Sequence, residues 1–185
     1  MQIDKMPVTA ITIGICIIVW GLQYLKKDDT YGQSDIITKF SLIPSLVKQG
    51  QYYRILTAGF LHVRPYHILM NLFALYNLGS SLEPFIGSTK FAIILLLSII
   101  GSGIACTFLS PANSMTIGIS GGVFGLLGAY IFILFKLGLF SNPSVMMNIG
   151  YVVIVNVFIS FIPGVSWQGH LGGALTGLLT AIILL

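Results

Sequence analysis

The chain contains six apolar segments, each about as long as a helix that crosses a lipid bilayer. They lie near residues 7–25, 66–82, 90–109, 119–138, 145–163 and 167–185. A helix of about 20 apolar residues spans the hydrocarbon core, where each backbone polar group must be hydrogen-bonded within the protein. The sequence therefore predicts an all-α membrane protein, built as a bundle of six transmembrane helices.

Composition supports this class and argues against others. Hydrophobic residues make up 56% of the chain and charged residues 8%, whereas soluble proteins carry about 25% charged residues. The net charge of +4 is spread along the chain without a basic run, so no nucleic-acid partner is predicted. Cys16 and Cys106 lie in separate apolar segments without metal-ligand spacing, and the sequence predicts neither a metal nor another cofactor.

The segment from Pro7 to Leu25 is too long for the apolar part of a signal peptide, which has about 7–15 residues. We therefore expect it to be retained as the first span, and residues 1–185 to form a single membrane domain. The longest connection, about residues 26–65, interleaves charged residues with apolar pairs such as Ile36-Ile37. This pattern favours short segments lying at the membrane interface.

Reactive side chains gather at one end of the predicted bundle. Spans two, four and six run in the same direction, so their N-terminal ends share a membrane face. His67 and Asn71 lie near the start of span two, Ser120 begins span four, and His170 lies near the start of span six. Lys and Arg residues do not settle which face this is. Because polar groups are costly inside a bilayer, the grouping predicts a functional site.

Ser120 is the candidate nucleophile, in a Gly-Ile-Ser-Gly turn from Gly118 to Gly121. A serine hydroxyl needs a base to take its proton, and His170 is the only histidine that follows Ser120. None of the five Asp and Glu residues lies in span four or six, so we predict a dyad rather than a triad. Phe124 lies one helical turn beyond Ser120 and is expected to pack against the histidine ring.

Acyl transfer also requires hydrogen-bond donors for the oxyanion. Free backbone amides at the start of span four, helped by the helix dipole, are expected to supply one or two of them, with Gly118 as a candidate. The side chains of Asn71 and His67 lie on one face of span two and are expected to supply the others.

Two faces of small residues are expected to hold spans four and six together. Gly121 and Gly125 form one face, and Gly173 and Gly177 form the other. Small residues at this spacing let membrane helices approach closely. Such an approach would bring the serine within reach of the histidine.

Each candidate residue alone also has a structural interpretation. Serine and glycine are common where membrane helices pack, while His67 and Asn71 suit an interface and an interhelical hydrogen bond. Three function classes remain: a protease, a protein that binds membrane clients without cleaving them, and a small transporter or channel. The last class predicts internal repeats, which are not found in the sequence. A zinc protease is disfavoured because the H-E-x-x-H motif is absent.

Several short motifs follow one another from about Gly50 to the C-terminus. They are Gln51-Tyr52-Tyr53-Arg54, Thr57, Phe60-Leu61-His62, the H-x4-H-x3-N pattern of His62, His67 and Asn71, Gly118-Ile119-Ser120-Gly121, and His170 followed by Gly173 and Gly177. Together they resemble the rhomboid family of intramembrane serine proteases, in its minimal six-helix bacterial type. The chain departs from that pattern at Phe124, where bacterial members often have tyrosine.

The resemblance implies a serine-type endopeptidase that hydrolyses peptide bonds in or beside transmembrane helices. It implies a Ser120–His170 dyad, with oxyanion contacts from His67, Asn71 and the backbone of Ser120. It also implies a multi-pass protein of the cell membrane whose site opens into a water-filled cavity on the extracytoplasmic side. Its partners would be the lipid bilayer and transmembrane-helix protein substrates. The alternative within the resemblance is a rhomboid-like protein that binds membrane clients without proteolysis.

Overall fold

The computed structural model describes residues 3–25 and 34–185. In these ranges the chain forms the α-helices α1 (Pro7–Leu25), α2 (Asp35–Phe40), α3 (Pro44–Lys48), α4 (Arg54–Thr57), α5 (Pro65–Ile86), α6 (Ser88–Leu109), α7 (Ser120–Lys136), α8 (Pro143–Ser160) and α9 (Trp167–Leu184). Short 3-10 turns occupy Ile3–Lys5, Ala58–Phe60 and Leu139–Ser141.

All six predicted spans are helical, as α1 and α5 to α9, and the prediction of an all-α membrane bundle is confirmed. Within the described residues, three helices are long and apolar enough to cross a membrane by length and composition: α1, α6 and α8. Helix α7 is apolar but shorter, with 17 residues. Helices α5 and α9 carry glycine and the polar residues of the candidate site, which lower their hydropathy.

Two helices end at a different place from the one the sequence predicts. Helix α5 continues past residue 82 and through Pro84, and it stops at Gly87, whose φ is 85°. Helix α8 stops at Ser160 rather than near residue 163. Pro163 accounts for the early end, because the residues before a proline are disfavoured in a helix.

The extension of α5 places the carboxylate of Glu83 at the start of α1. This buried carboxylate accepts hydrogen bonds from the backbone N–H groups of Val8 and Thr9, each at 2.8 Å, and from the Ser88 hydroxyl at 2.8 Å. The first N–H groups of a helix lack partners within it, and the helix dipole favours a negative charge there. Glu83 therefore acts as a cap for a helix far away in sequence.

Helices α7 and α9 touch along the two predicted glycine faces. A Cβ atom on Gly173 would collide with the backbone of Gly121, and one on Gly177 would collide with the backbone of Gly125. A Cβ atom on Gly125 would lie 2.9 Å from the carbonyl oxygen of Gly173. We call this contact of Gly121, Gly125, Gly173 and Gly177 the glycine seam. It has no room for side chains, so the two helices lie backbone to backbone.

The connection before α5 folds onto the bundle through its short helices. Within it, the buried Arg54 guanidinium donates to the carbonyl oxygens of Ser41 at 2.6 Å and Thr38 at 3.1 Å. Leu42 exchanges two backbone hydrogen bonds with Thr116, at 3.0 and 2.9 Å. The connection thus holds the loop that leads into α7. The part of the predicted connection from residue 26 to 33 lies outside the described residues.

Candidate active site

Ser120 and His170 meet where α7 and α9 begin. The Ser120 Oγ atom lies 3.0 Å from the His170 Nε2 atom, which is hydrogen-bond distance. His170 is buried, with 6% of its surface exposed, whereas Ser120 is half-buried. The serine is therefore accessible from outside while the histidine is enclosed.

Local structure fixes both residues. Ser120 is the first residue of α7, and it follows a tight turn at Gly118, where φ is 109°. A φ in this range favours glycine because other residues clash with their own backbone there. In α9, the Ser166 hydroxyl caps the helix by accepting from the Gly169 N–H at 3.3 Å. The glycine seam then sets the separation of the two helix starts.

Phe124 covers one face of the His170 imidazole. The two ring centroids are 3.9 Å apart and the planes are inclined by 13°, so the rings are stacked. Phe124 lies one turn after Ser120 on α7, as the helical spacing requires. The stack holds the plane of the imidazole next to the serine.

His67 and Asn71 surround the turn in front of Ser120. A Cβ atom at Gly118 would lie 2.8 Å from His67 Nε2 and 3.6 Å from Asn71 Nδ2. The absence of a side chain at Gly118 therefore gives these polar groups access to the turn. Asn71 is buried and His67 is half-buried, both on one face of α5.

The N–H group of Gly118 is already engaged, contrary to the expectation that its backbone serves the oxyanion. It donates to the carbonyl oxygen of Ala58 at 2.9 Å. This bond ties the turn to the segment after α4, so Gly118 shapes the site rather than offering a donor. Ser120, as the first residue of α7, has an N–H group without a partner inside the helix.

Ser160, which no sequence pattern distinguishes, also contacts His170. The Ser160 Oγ atom lies 2.7 Å from the His170 Nδ1 atom, on the opposite side of the ring from Ser120. A signal was present in the sequence, since the two residues are 10 apart and a short connection brings the end of one span to the start of the next. A single serine near a helix end is too common to be distinguished by pattern.

His62 lies behind His67, in the short stretch before α5. It has no exposed surface, and its ring centroid is 5.0 Å from that of His67 in an edge-on arrangement. Burial, together with the weaker electrostatic interaction with His67, lowers the pKa of His62 to about 3. His62 is thus neutral near pH 7 and packs against His67 without adding charge to the site.

These residues have the chemical capacities that acyl transfer requires. They offer a hydroxyl next to an imidazole nitrogen, and polar N–H groups beside the same turn. The residues that the structure describes contain no group of three or more His, Cys, Asp or Glu side chains placed to hold a metal ion.

Comparison with known proteins identifies the family. The family model described as Rhomboid domain matches residues 49–185. Rhomboid protease GluP of Bacillus subtilis is 33% identical over 141 residues, which are 76% of this chain and 27% of GluP. RHOMBOID-like protein 4 of Arabidopsis thaliana is 32% identical over 145 residues, which are 77% of this chain and 36% of that protein.

The chain thus spans about a third or less of these two relatives. It matches a greater share of the Bacillus subtilis protein YdcA, with 26% identity over 179 residues, which are 96% of this chain and 88% of YdcA. The family model and the relatives indicate the rhomboid family, and the apolar helices indicate a membrane protein. The chain belongs to the rhomboid family of integral membrane proteins.

Proposed function

We propose that this chain is a serine endopeptidase that hydrolyses peptide bonds in or beside the transmembrane helices of other membrane proteins. Membership of a family with a relative named rhomboid protease supports the protease class. The observation that carries the serine mechanism is the 3.0 Å contact between Ser120 Oγ and His170 Nε2.

In the proposed reaction, His170 Nε2 takes the hydroxyl proton as Ser120 Oγ attacks the carbonyl carbon of the scissile peptide bond. The C–N bond then breaks, and the imidazolium gives the proton to the leaving amine. A water molecule, deprotonated by the same nitrogen, hydrolyses the acyl-enzyme and restores Ser120. Nucleophile and base act as one unit in this scheme.

The negative charge on the carbonyl oxygen needs donors during both steps. The side chains of Asn71 and His67 and the N–H of Ser120 are proposed for this role, because all three lie around the turn at Gly118. The dipole of α7 adds a favourable potential at the same point.

The active site is proposed to open on the extracytoplasmic side of the cell membrane. Lys90 near the start of α6 and Lys136 at the end of α7 lie at the opposite end of the bundle from Ser120. The connection before α5 carries Arg54 and Arg64 at the same end as Ser120, so charge alone does not set the orientation. The proposal therefore rests on the resemblance to the rhomboid family. Labelling of single cysteines placed at Asn113 and Ser141 with a membrane-impermeant maleimide in intact cells tests this orientation, and reaction at Asn113 alone is expected.

Labelling by a fluorophosphonate, which reacts with activated serines, tests the mechanism. We expect the wild type in detergent to be labelled, and Ser120→Ala and His170→Ala to fall to background in both labelling and substrate cleavage. The control is Ser114→Ala, which removes an exposed hydroxyl that bonds to the Pro111 carbonyl. Appreciable turnover by Ser120→Ala would contradict the mechanism.

The same experiment separates the protease from a client-binding protein without activity. A client-binding protein would leave all variants equally unreactive while still retaining membrane partners. The close approach of Ser120 to His170 favours the protease, because client binding alone does not require a serine hydroxyl within hydrogen-bond distance of an imidazole nitrogen.

The site also bears on which substrates are cleaved. A helix hides its carbonyl groups in hydrogen bonds, and opening it in lipid exposes polar groups that cost several kcal/mol each. We therefore expect substrates with one span, a small residue at the cleaved bond, and Gly, Pro or polar residues just beyond it. Replacing those residues by Leu in one substrate should slow its cleavage. Equal rates across the panel would mean that helix instability is not recognised.

A further inference from the structure

The Ser160 hydroxyl makes two hydrogen bonds, and together they define where its proton lies. Ser160 Oγ is 2.7 Å from the carbonyl oxygen of Asn156, one turn earlier in α8. It is also 2.7 Å from His170 Nδ1. A carbonyl oxygen accepts only, so the single hydroxyl proton is directed to Asn156.

The imidazole nitrogen must then donate to the hydroxyl oxygen. With its proton directed to Asn156, Ser160 Oγ presents lone pairs to His170, and Nδ1 carries the ring proton of the neutral imidazole. The other nitrogen, Nε2, is left bare, and it is this nitrogen that faces the Ser120 hydroxyl. A bare Nε2 is what a general base at this position requires.

The other contacts of the His170 ring do not determine which of its two nitrogens carries the proton. The stacked ring of Phe124 restrains the plane of the imidazole, but an aromatic face does not distinguish its two nitrogens. Among the described residues, the acids are Asp4, Asp35 and Glu83. Glu83 is occupied at the start of α1, and Asp35 is exposed and paired with Lys39.

We propose that Ser160 is a positioning residue, whose hydroxyl holds His170 in the tautomer with a proton on Nδ1 and a bare Nε2 toward Ser120. This role rests on the proposed Ser120–His170 dyad and deepens it. A neutral hydroxyl on α8 takes the place that a carboxylate has in a Ser-His-Asp triad. The hydroxyl does not touch the substrate, and its effect passes through the imidazole.

Steady-state cleavage by matched variants tests the proposal. Ser160→Ala should lower kcat by about 10-fold to 100-fold, the loss known for groups that orient a metal-binding histidine, with little change in KM. Ser160→Thr should recover most of the rate, because a helical threonine also bonds to the carbonyl one turn back. The control is Thr180→Val, which removes an equally buried hydroxyl bonded to Thr176 on α9 and should leave kcat unchanged.

A spectroscopic measurement on the wild type reads the tautomer directly and does not depend on whether Ser160→Ala folds. The 15N shifts of His170 in 15N-histidine-labelled wild type, assigned by comparison with His170→Ala, should show a protonated Nδ1 and a bare Nε2. In Ser160→Ala the shifts should move toward a mixture of tautomers. Melting curves identify a variant that is simply unfolded.

The outcomes separate this inference from the proposed function. If the wild type and Ser120→Ala were labelled equally by the fluorophosphonate, the dyad itself would be wrong, whatever the tautomer. If the wild type is active but its Nε2 carries the proton, the positioning role is overturned. It is also overturned if Ser160→Ala keeps the kcat of the Thr180→Val control, or if Ser160→Thr is as slow as Ser160→Ala.

Discussion

Helix α8 and the pair α7 and α9 both reach the candidate site, but they are held in the bundle in different ways. About half of α7 is buried, and its Gly121 and Gly125 lie against the backbone of α9 along the glycine seam. In α8, Ser160 alone is buried, and a Cβ atom at Gly150 would meet nothing within 4 Å. The proposed nucleophile and base thus lie on the tightly packed helices, while the hydroxyl proposed to orient the base lies on the loosely packed one.

This difference means that the parts of the candidate site are held in place by unequal amounts of packing. Backbone contact along the seam leaves no gap that a small shift could use, because packed interiors resist deformation. Helix α8 has no comparable contact, so its position depends on fewer interactions. Changes along the seam should damage the fold, whereas changes on α8 should affect the reaction and spare the fold.

The largest effect is expected at the seam itself. Gly173→Val places a branched side chain against the backbone of Gly121 and should lower the free energy of unfolding by about 3 kcal/mol or more. Gly150→Val makes the same substitution in open space on α8 and should leave stability nearly unchanged. Thermal melting in detergent compares the two. Equal melting temperatures would show that the seam does not hold the bundle.

A smaller effect, on rate alone, is expected at Asn71. Asn71→Ala removes one proposed oxyanion donor and should lower kcat by about 100-fold to 1,000-fold. Because Asn71 lies outside the seam, the melting temperature should change little. Asn77→Ala, which removes an exposed amide bonded to the Phe73 carbonyl on the same helix, is the control. An unchanged kcat would assign Asn71 a structural role.

The smallest effect is expected at Phe124 on α7, which contacts the proposed base His170. Phe124→Leu removes the ring stacked on His170, and such ring pairs contribute about 0.5–1.5 kcal/mol. This energy corresponds to about a 2-fold to 13-fold loss of kcat. Phe158→Leu on α8 changes a ring that is 73% exposed and serves as the control. A larger loss of kcat in Phe158→Leu than in Phe124→Leu would show that the ring stacked on His170 does not support the reaction.

Apolar length, helix direction and helical spacing were sufficient to predict the helices and the approach of Ser120, His170 and Phe124 to one another. Apolar length gave the six spans, chain direction placed Ser120 and His170 at one face, and helical spacing placed Phe124 beside the imidazole. These features depend on the order of residues along one helix or on the alternation of helix directions. Both can be read from a single chain.

The features that sequence reasoning missed are side-chain partners on different helices. Glu83 lies just past the predicted end of the second span, yet its carboxylate accepts a hydrogen bond from Thr9, 74 residues away. Ser160 and the N–H of Gly118 have partners that depend on helix rotation and on the path of a loop. A hydroxyl or an acid has several ways to be satisfied, and only the packed bundle selects one of them.

Ser160 is the last residue of α8, so its contact with His170 depends on whether the last turn of that helix is closed. Terminal turns open with much lower free energies than whole helices. On the proposed role, each opening leaves His170 without its acceptor, so the measured rate scales with the fraction of time for which that turn is closed. Lipids that loosen the end of α8 would then slow the proposed reaction while Ser120 stays in place.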